Sequence, residues 1–502
     1  MIEYTYAPGA HVGAQGISPV WGRTFFQPLA PGAMTPFSQS MLAEVARRSW
    51  VAYYDRLGFE PPLRTPLVRF HAGRPYVNLS LAADLEARQA GLQPWTLHID
   101  GREIGLAQWN KPGLFAGMKL ARNARKIADT LAELDREIDG AIVRARTWYE
   151  RVMGMRWSQA EILQIMEEIE RVGIASLSTY IAARQTTESA YAGLLTGSSG
   201  LSDGVAGVNR ATVGGVELVE SALAARVVKL AALMQRDPQA NQWLACGQFN
   251  DWEEALAETE SASPVRQFLA DFGHRCAGEG DLAAPRWAED PAPVFATLRA
   301  MLNSDCDWSA PSGRRSDALP QPINARQDKQ GQTLVQQVKF GLALQSRALN
   351  GYAYILAGTR QWALAAGNEA LDDGRVESVD DIFYFELEEV KEMMTGEWNI
   401  SDVTGIHATA ADRKMQRVKA QELVPGPFFV GDAEVIVKAG ALPGGAGCAE
   451  GPLALMPGLS AGAQPWVLGG VQPDFGWAMA LPGAAALIAG QGSPLDPQWR
   501  RR

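Results

Sequence analysis

Apolar residues recur at helical spacing through the middle of the chain. Between residues 114 and 153 they fall at Leu120, Ile127, Leu131, Leu134, Ile138, Ile142 and Val143, and Asp, Glu, Lys and Arg fill the opposite face. That period predicts an amphipathic helix. Ser158-Gln159-Ala160-Glu161 then forms a capping box, in which the Ser side chain and Glu161 satisfy each other's orphan amides, so a long helix should run to about Leu195. The Gly-rich interval from Gly197-Ser198-Ser199-Gly200 to Gly214-Gly215 interrupts it. Helical patterning resumes at 216–235, 251–271 and 333–366, and Arg413-Lys414-Met415-Gln416-Arg417 lies in a last helix. Between them, Asp380 to Val390 reads as a short extended piece feeding a new helix.

The two ends are patterned differently. Residues 1 to 40 are dense in Gly, Pro and aromatics and predict a loop-rich lead-in. A β-like stretch follows around Pro75-Tyr76-Val77-Asn78-Leu79, and residues 98–109 predict a strand pair turning at Asp100-Gly101. After residue 423 Gly and Pro become dense again and charge becomes rare, with short strands expected at Val435-Ile436-Val437 and Leu453-Ala454-Leu455. Three regions follow: a loop-rich part with short strands at 1–113, a helical domain at 114–422, and a small β-rich or α/β module at 423–502. The fold class expected is mainly α, with a few short strands and that C-terminal module.

Composition narrows the function classes. The chain has 502 residues, 47% of them hydrophobic, which is ample for a large core. Its net charge of −10 argues against a nucleic-acid partner, which calls for a basic face. No apolar run approaches the ~18 residues of a membrane span, and Met1-Ile2-Glu3-Tyr4 lacks the layout of a signal peptide. A cytoplasmic protein is expected. Cys246, Cys276, Cys306 and Cys448 are widely spaced and read as reduced thiols. His11, His71, His98, His274 and His407 show no metal-ligand spacing, so no bound metal or other cofactor is expected.

One segment is dense in polar chemistry. Phe268-Leu269-Ala270-Asp271-Phe272-Gly273-His274-Arg275 runs through Gly278-Glu279-Gly280-Asp281-Leu282 to Pro285-Arg286-Trp287-Ala288-Glu289-Asp290-Pro291. It closely resembles the F-L-x-x-[YF]-G-H-R…G-E-x-D-L…P-R-W-x-E-D-P signature of the central domain in a branch of the phosphoenolpyruvate synthase-like family, which includes rifampicin phosphotransferase and phenylphosphate-synthase-like proteins. Three further stretches resemble the same family, in the same order. They are Trp21 to Phe37, Asp380-Asp381-Ile382-Phe383-Tyr384-Phe385, and Leu442 to Pro452, similar to the S-P-G-x-A-x-G start of the swivelling domain. Finally, Trp477 to Ala489 with Gly490 to Arg502 is similar to a worn phosphohistidine motif of that swivelling domain. Where the family has Ser-His, this sequence reads Asp496-Pro497.

The resemblance implies a machine in three parts: an ATP-grasp domain, a helical acceptor-binding domain and a swivelling domain whose His carries the phosphoryl group. This sequence resembles the last two. The expectation is therefore a substrate-binding or scaffold subunit, a pseudoenzyme that binds no cofactor itself. ATP and Mg²⁺ would enter through a partner ATP-grasp subunit, and a second partner would carry the phosphohistidine for a small-molecule acceptor. Pro497 has no side-chain nitrogen to phosphorylate, and an aspartyl phosphate at Asp496 is the minor alternative. The candidate substrate-binding residues are His274, Arg275, Glu279, Asp281 and Arg286, whose residue types equally suit a buried ion-pair network fixing a loop.

Two other readings stand beside this one. One is a self-contained enzyme of the helical domain, with His274 exchanging a proton and Arg275 orienting an anion. The other is a structural or regulatory interaction protein. Trp148, Tyr149, Tyr180, Tyr191, Tyr352 and Tyr354 are candidates to line an acceptor pocket or to fill core. The Gly-rich 197–215 interval reads as a hinge more readily than as a phosphate loop, since it lacks the Gly-Lys-Ser/Thr ending. Lys119, Arg122, Arg125 and Lys126 read as a solvated basic face.

Overall fold

The computed structural model describes residues 2–5, 19–59, 67–85, 87, 96–99, 102–107, 118, 129, 132–197, 205–212, 216–303, 307–309, 329–396, 402–434, 453–455, 466–470 and 473–490. Its strands in chain order are β1 (Ile2–Thr5), β2 (Val20–Gly22), β3 (Val68–His71), β4 (Arg74–Asn78), β5 (Thr96–Ile99), β6 (Arg102–Gly105), β7 (Phe428–Val430), β8 (Ala433–Glu434), β9 (Leu453–Leu455), β10 (Trp466–Gly470) and β11 (Ala484–Ala489). The helices are α1 (Pro36–Leu57), α2 (Leu79–Leu85), α3 (Leu134–Met153), α4 (Gln159–Gly197), α5 (Val205–Thr212), α6 (Val219–Arg236) and α7 (Pro238–Cys246). They continue with α8 (Trp252–Ala255), α9 (Ala262–Phe272), α10 (Ala292–Leu302), α11 (Lys329–Asp372), α12 (Leu387–Thr395) and α13 (Val403–Glu422). The fold is mainly helical with short strands, as the periodicity implies.

The body is a bundle of α1, α3, α4 and α11, in which α11 packs along both α4 and α3. Its core joins Val45, Trp50, Ile138, Trp148, Ile165, Leu177, Ile181, Leu349, Tyr352, Ile355 and Trp362. The capping box that opens α4 is present: Glu161 Oε2 accepts from the Ser158 amide at 2.7 Å, and Ser158 Oγ accepts from the Glu161 amide at 3.4 Å. In α3, Leu134 and Ile138 are buried and Ile142 half-buried, but Val143 faces solvent, one position beyond the stripe. Leu120, Ile127 and Leu131 lie outside the described residues, as does the basic stretch 119–126.

Between α4 and α11 the chain inserts a smaller helical unit, α6 to α10, with a core of its own around Leu223, Val227, Leu244, Phe268, Trp287, Phe295 and Met301. The C-terminal strands join that core. β9, β10 and β11 form a parallel sheet in the order β11-β10-β9, and Ala454, Leu468, Phe475, Ala478 and Met479 pack with the helical unit.

Two antiparallel sheets use the ends of the chain. Ile99 opposes Arg102 in the β5–β6 pair, and β1 adds to the edge of β5; the predicted turn residues Asp100-Gly101 lie outside the described residues. The larger sheet has the order β3-β4-β2-β7-β8. The β3–β4 turn carries Ala72 and Gly73 at φ 47° and 70°, the left-handed pair of a type I′ hairpin. Residues 428–434 lie beyond the composition change at 423, yet β7 pairs with β2 at the other end of the sequence and β8 adds to the edge of β7.

Two local expectations need correction. The lead-in is loop-rich, but Val20–Gly22 is a strand, and the following residues through Ala30 are buried under the bundle. Asp380 to Tyr384 is not extended: Val379–Tyr384 is a 3₁₀ turn that buries Asp381, Ile382 and Phe383 against α11. The β-branched and aromatic run Ile382-Phe383-Tyr384-Phe385 mimics a strand there, while burial of Ile382 and Phe383 on the bundle favours a tight turn. The helix it feeds is α12, as expected. Of the predicted C-terminal strands, 453–455 is β9, and 435–437 lies outside the described residues.

Among the described residues no helix is long and apolar enough to cross a membrane.

Candidate functional site

The Gly-His-Arg segment follows α9 directly. Gly273 is required there, because a side chain at that position would meet the Leu269 carbonyl at 2.2 Å and Ala288 Cβ at 2.8 Å. Two backbone bonds pair this segment with the Pro-Arg-Trp stretch: Trp287 N–H donates to the Arg275 carbonyl and Ala288 N–H to that of Gly273, each at 2.9 Å.

Arg275 is fully buried. Its Nε and Nη2 clasp the Glu279 carboxylate at 2.6 and 2.7 Å, and Nη1 donates to Asn350 Oδ1 of α11 at 2.9 Å. Its guanidinium sits over the Phe475 ring, 3.3 Å from the centroid. A bidentate pair with a stacked aromatic satisfies a charge that burial would otherwise make expensive. Asp474, the neighbour of Phe475, accepts from the Gly278 amide at 2.8 Å. Burial pushes its carboxyl up to about 6, with Glu279 adding to the effect.

His274 and Arg286 are buried as well. His274 is 2% exposed. Its ring stacks on Tyr354 at 3.6 Å with an interplanar angle of 10°, and Tyr149 lies 6.4 Å away. Burial, then the Arg275 cation, holds its pKa well below the ordinary histidine value, so the ring is neutral at pH 7. Arg286 donates from Nη1 to Cys276 Sγ at 2.7 Å and from Nη2 to the Glu279 carbonyl at 3.0 Å. Burial pushes the Cys276 thiol up to about 11, which makes it inert.

Four of the five candidate residues, His274, Arg275, Glu279 and Arg286, thus meet in one buried cluster. Asp281 does not join it. Its Oδ1 accepts from the Thr35 amide at 3.2 Å, Thr35 Oγ1 at 2.7 Å and Ser38 Oγ at 2.9 Å, and its Oδ2 from Arg417. It therefore anchors the start of α1 to α13. Glu289 of the same signature pairs with Arg360 at 2.9 Å and ties the loop to α11.

Several partners carried no local sequence signal. Asn350 binds both His274 and Arg275, and Glu220 of α6 is buried beside Arg275. The Glu220 carboxyl is pushed up by burial and takes a 2.5 Å bond from Ser346 Oγ. Glu220 stands 48 residues before the signature and Asn350 59 residues after it, each in an ordinary amphipathic helix. The aromatic candidates divide. Tyr149 and Tyr354 line the cluster, Trp148, Tyr180 and Tyr352 fill the bundle core, and Tyr191 donates to Asn209 of α5 at 2.9 Å. That bond places a short helix inside the Gly-rich interval. Pro497 and Asp496 lie outside the described residues.

Residues 177–351 match the family model of the rifampicin phosphotransferase fourth domain. The match runs from the second half of α4 to the middle of α11 and encloses the whole Gly-His-Arg to Glu-Asp-Pro loop. It supports placing the chain with the phosphoenolpyruvate synthase-like family. No curated protein matches the sequence.

Proposed function

From the match over 177–351, we propose that this chain is the acceptor-binding or scaffold part of a phosphoenolpyruvate synthase-like phosphotransferase, acting with nucleotide and phosphohistidine parts carried on other chains. The match is the observation that carries the reading, because it covers the helical unit and the adjoining halves of the two long helices that enclose the signature loop. Phosphoryl transfer is chiefly a matter of positioning and charge stabilisation. A rigid buried loop between two long helices suits positioning.

The signature itself supports a positioning role. Arg275 is fully engaged by Glu279, Asn350 and Phe475, so it has no free fork with which to clamp a phosphate. The position similar to the family's phosphohistidine is Pro497, which offers no nucleophile. Among the described residues no three His, Cys, Asp or Glu side chains group as a metal site. In this reading ATP and Mg²⁺ belong to the partner.

The test is a mild affinity pull-down from the native cell combined with incubation of the purified chain with radiolabelled ATP. Co-purification of an ATP-grasp protein and a separate phosphohistidine protein, with no label on the isolated chain, is the expected result. Phosphate incorporated into the isolated chain would overturn the reading.

A further inference from the structure

Helix α13 is held to the body along one side. Ile406 and Ala410 are its buried residues, and three of its cations pair with carboxylates of other elements. Arg413 pairs with Glu389 of α12, Lys414 with Asp381 of the 3₁₀ turn, and Arg417 with Asp281 of the signature loop. The opposite side is apolar and open. Ala408, Ala411, Met415 and Val418 follow one another at steps of three, four and three residues, so they stand in one row along the helix. All four are exposed, Met415 at 58% and Val418 at 57%. Just past the helix end, Leu423 and Val424 are 53% and 60% exposed. A single exposed apolar residue needs no explanation, whereas a contiguous row marks an interaction surface.

The row is graded in size and flanked by charge in a way that matches itself reversed. Its N-terminal end is small, at Ala408 and Ala411, and its C-terminal end is large, at Met415, Val418, Leu423 and Val424. Asp412 and Lys419 lie beside the row on the same flank, two helical turns apart. Among the described residues Asp412 accepts from Gln416 of its own helix at 2.6 Å, and Lys419 forms no ion pair. A two-fold axis that reverses the helix brings like flanks together, so that the partner of each charge is the opposite one. We propose that α13 is a self-association surface, through which two copies of the chain pair in antiparallel fashion. Met415 then packs on Val418 of the second copy, and Leu423 and Val424 cover its Ala408 and Ala411. Two Asp412–Lys419 pairs fix the register. On the other flank Lys414 faces the neutral Gln421, so no like charges meet. Parallel pairing would instead set Lys414 against Lys419, a repulsion at the positions that decide helix orientation. The inference goes beyond the acceptor-binding reading and does not depend on it.

The experiment is sedimentation equilibrium of the purified full chain over a dilution series that reaches submillimolar concentration. The expected result is a reversible equilibrium between monomer and dimer. Met415→Glu should remove the dimer and leave the far-UV circular dichroism unchanged, because the side chain it replaces is exposed. Asp412→Lys and Lys419→Asp should each weaken the dimer about tenfold, since each turns two exposed attractions into repulsions. The double variant, in which the charges are exchanged, should restore wild-type association. A chain that stays monomeric throughout the series overturns the proposal and leaves this face to a different protein. A dimer indifferent to Met415→Glu has its contact elsewhere and overturns it as well. Single charge variants that associate like the wild type, or a double variant no better than either single one, overturn the antiparallel pairing.

Discussion

At the scale of single residues, the signature loop couples buried ionisable groups that titrate in opposite senses. Asp474 holds its proton up to about pH 6 in the folded chain, against 3.8 ordinarily. Between those values the native state binds more protons than the unfolded state, so this group's contribution to stability falls as pH rises from about 4 to 6. His274 works the other way: its folded pKa is depressed, so its contribution is lost as pH falls below the ordinary histidine value. Asp474→Asn keeps an acceptor for the Gly278 amide and removes the carboxylate. Relative to wild type, the variant should gain ~2–3 kcal/mol of stability between pH 4 and pH 7, an amount set by a shift of about two pK units. Urea unfolding of both proteins at the two pH values checks it, because His274 cancels in the difference. A constant difference would show that Asp474 titrates normally. The sequence showed the density of charge in this loop and not which charges were spoken for. Asp281 reads like its neighbours Glu279 and Arg286, yet its partners Thr35, Ser38 and Arg417 come from distant helices.

At the scale of elements, helices were legible wherever apolar period and end chemistry agreed. The Ser158–Glu161 box opened α4 where expected, and α11 contains the whole 333–366 stretch. Elements shaped by tertiary contact were not. The 379–384 turn owes its form to burial on α11, and β2 owes its existence to β4 and β7. Close packing between helices was equally hidden, because a glycine in a helix reads only as a weak point. Gly358 of α11 is better explained by Trp148 of α3: a Cβ on it would lie 2.4 Å from the indole Cζ3. The two helices approach closely because that hydrogen leaves room for the ring. Gly358→Ala should therefore cost about 1–3 kcal/mol, despite alanine's better helix propensity. Adding Trp148→Leu should recover part of that loss relative to Trp148→Leu alone, as read by denaturation midpoints. An unaffected Gly358→Ala protein would mean that the helices separate at no cost.

At the scale of the whole molecule, the C-terminal strands are seated on the helical unit, and the seat is the signature loop. Composition marked a change of character near residue 423, and parallel strands do follow it. What composition could not reveal is that Phe475 slides under Arg275 while Asp474 caps the Gly278 amide, because both contacts span about two hundred residues. Phe475 also stands 5.9 Å from Trp287, so one aromatic ring bridges the C-terminal strands and the core of α6 to α10. Removing it leaves a cavity in that core and strips the Arg275 cation of its ring face. Phe475→Ala should cost about 3–5 kcal/mol. The loss should be regional, because α1, α3, α4 and α11 have a separate core in which Phe475 takes no part. Hydrogen exchange followed by mass spectrometry should show β9 to β11 and residues 273–290 losing protection together, with α4 and α11 unchanged. Loss confined to the C-terminal strands would mean that the loop holds its shape through Glu279 and Asn350 alone. Loss throughout the chain would mean that the two cores unfold as one unit, and that the loop transmits the state of the C-terminal strands to the long helices.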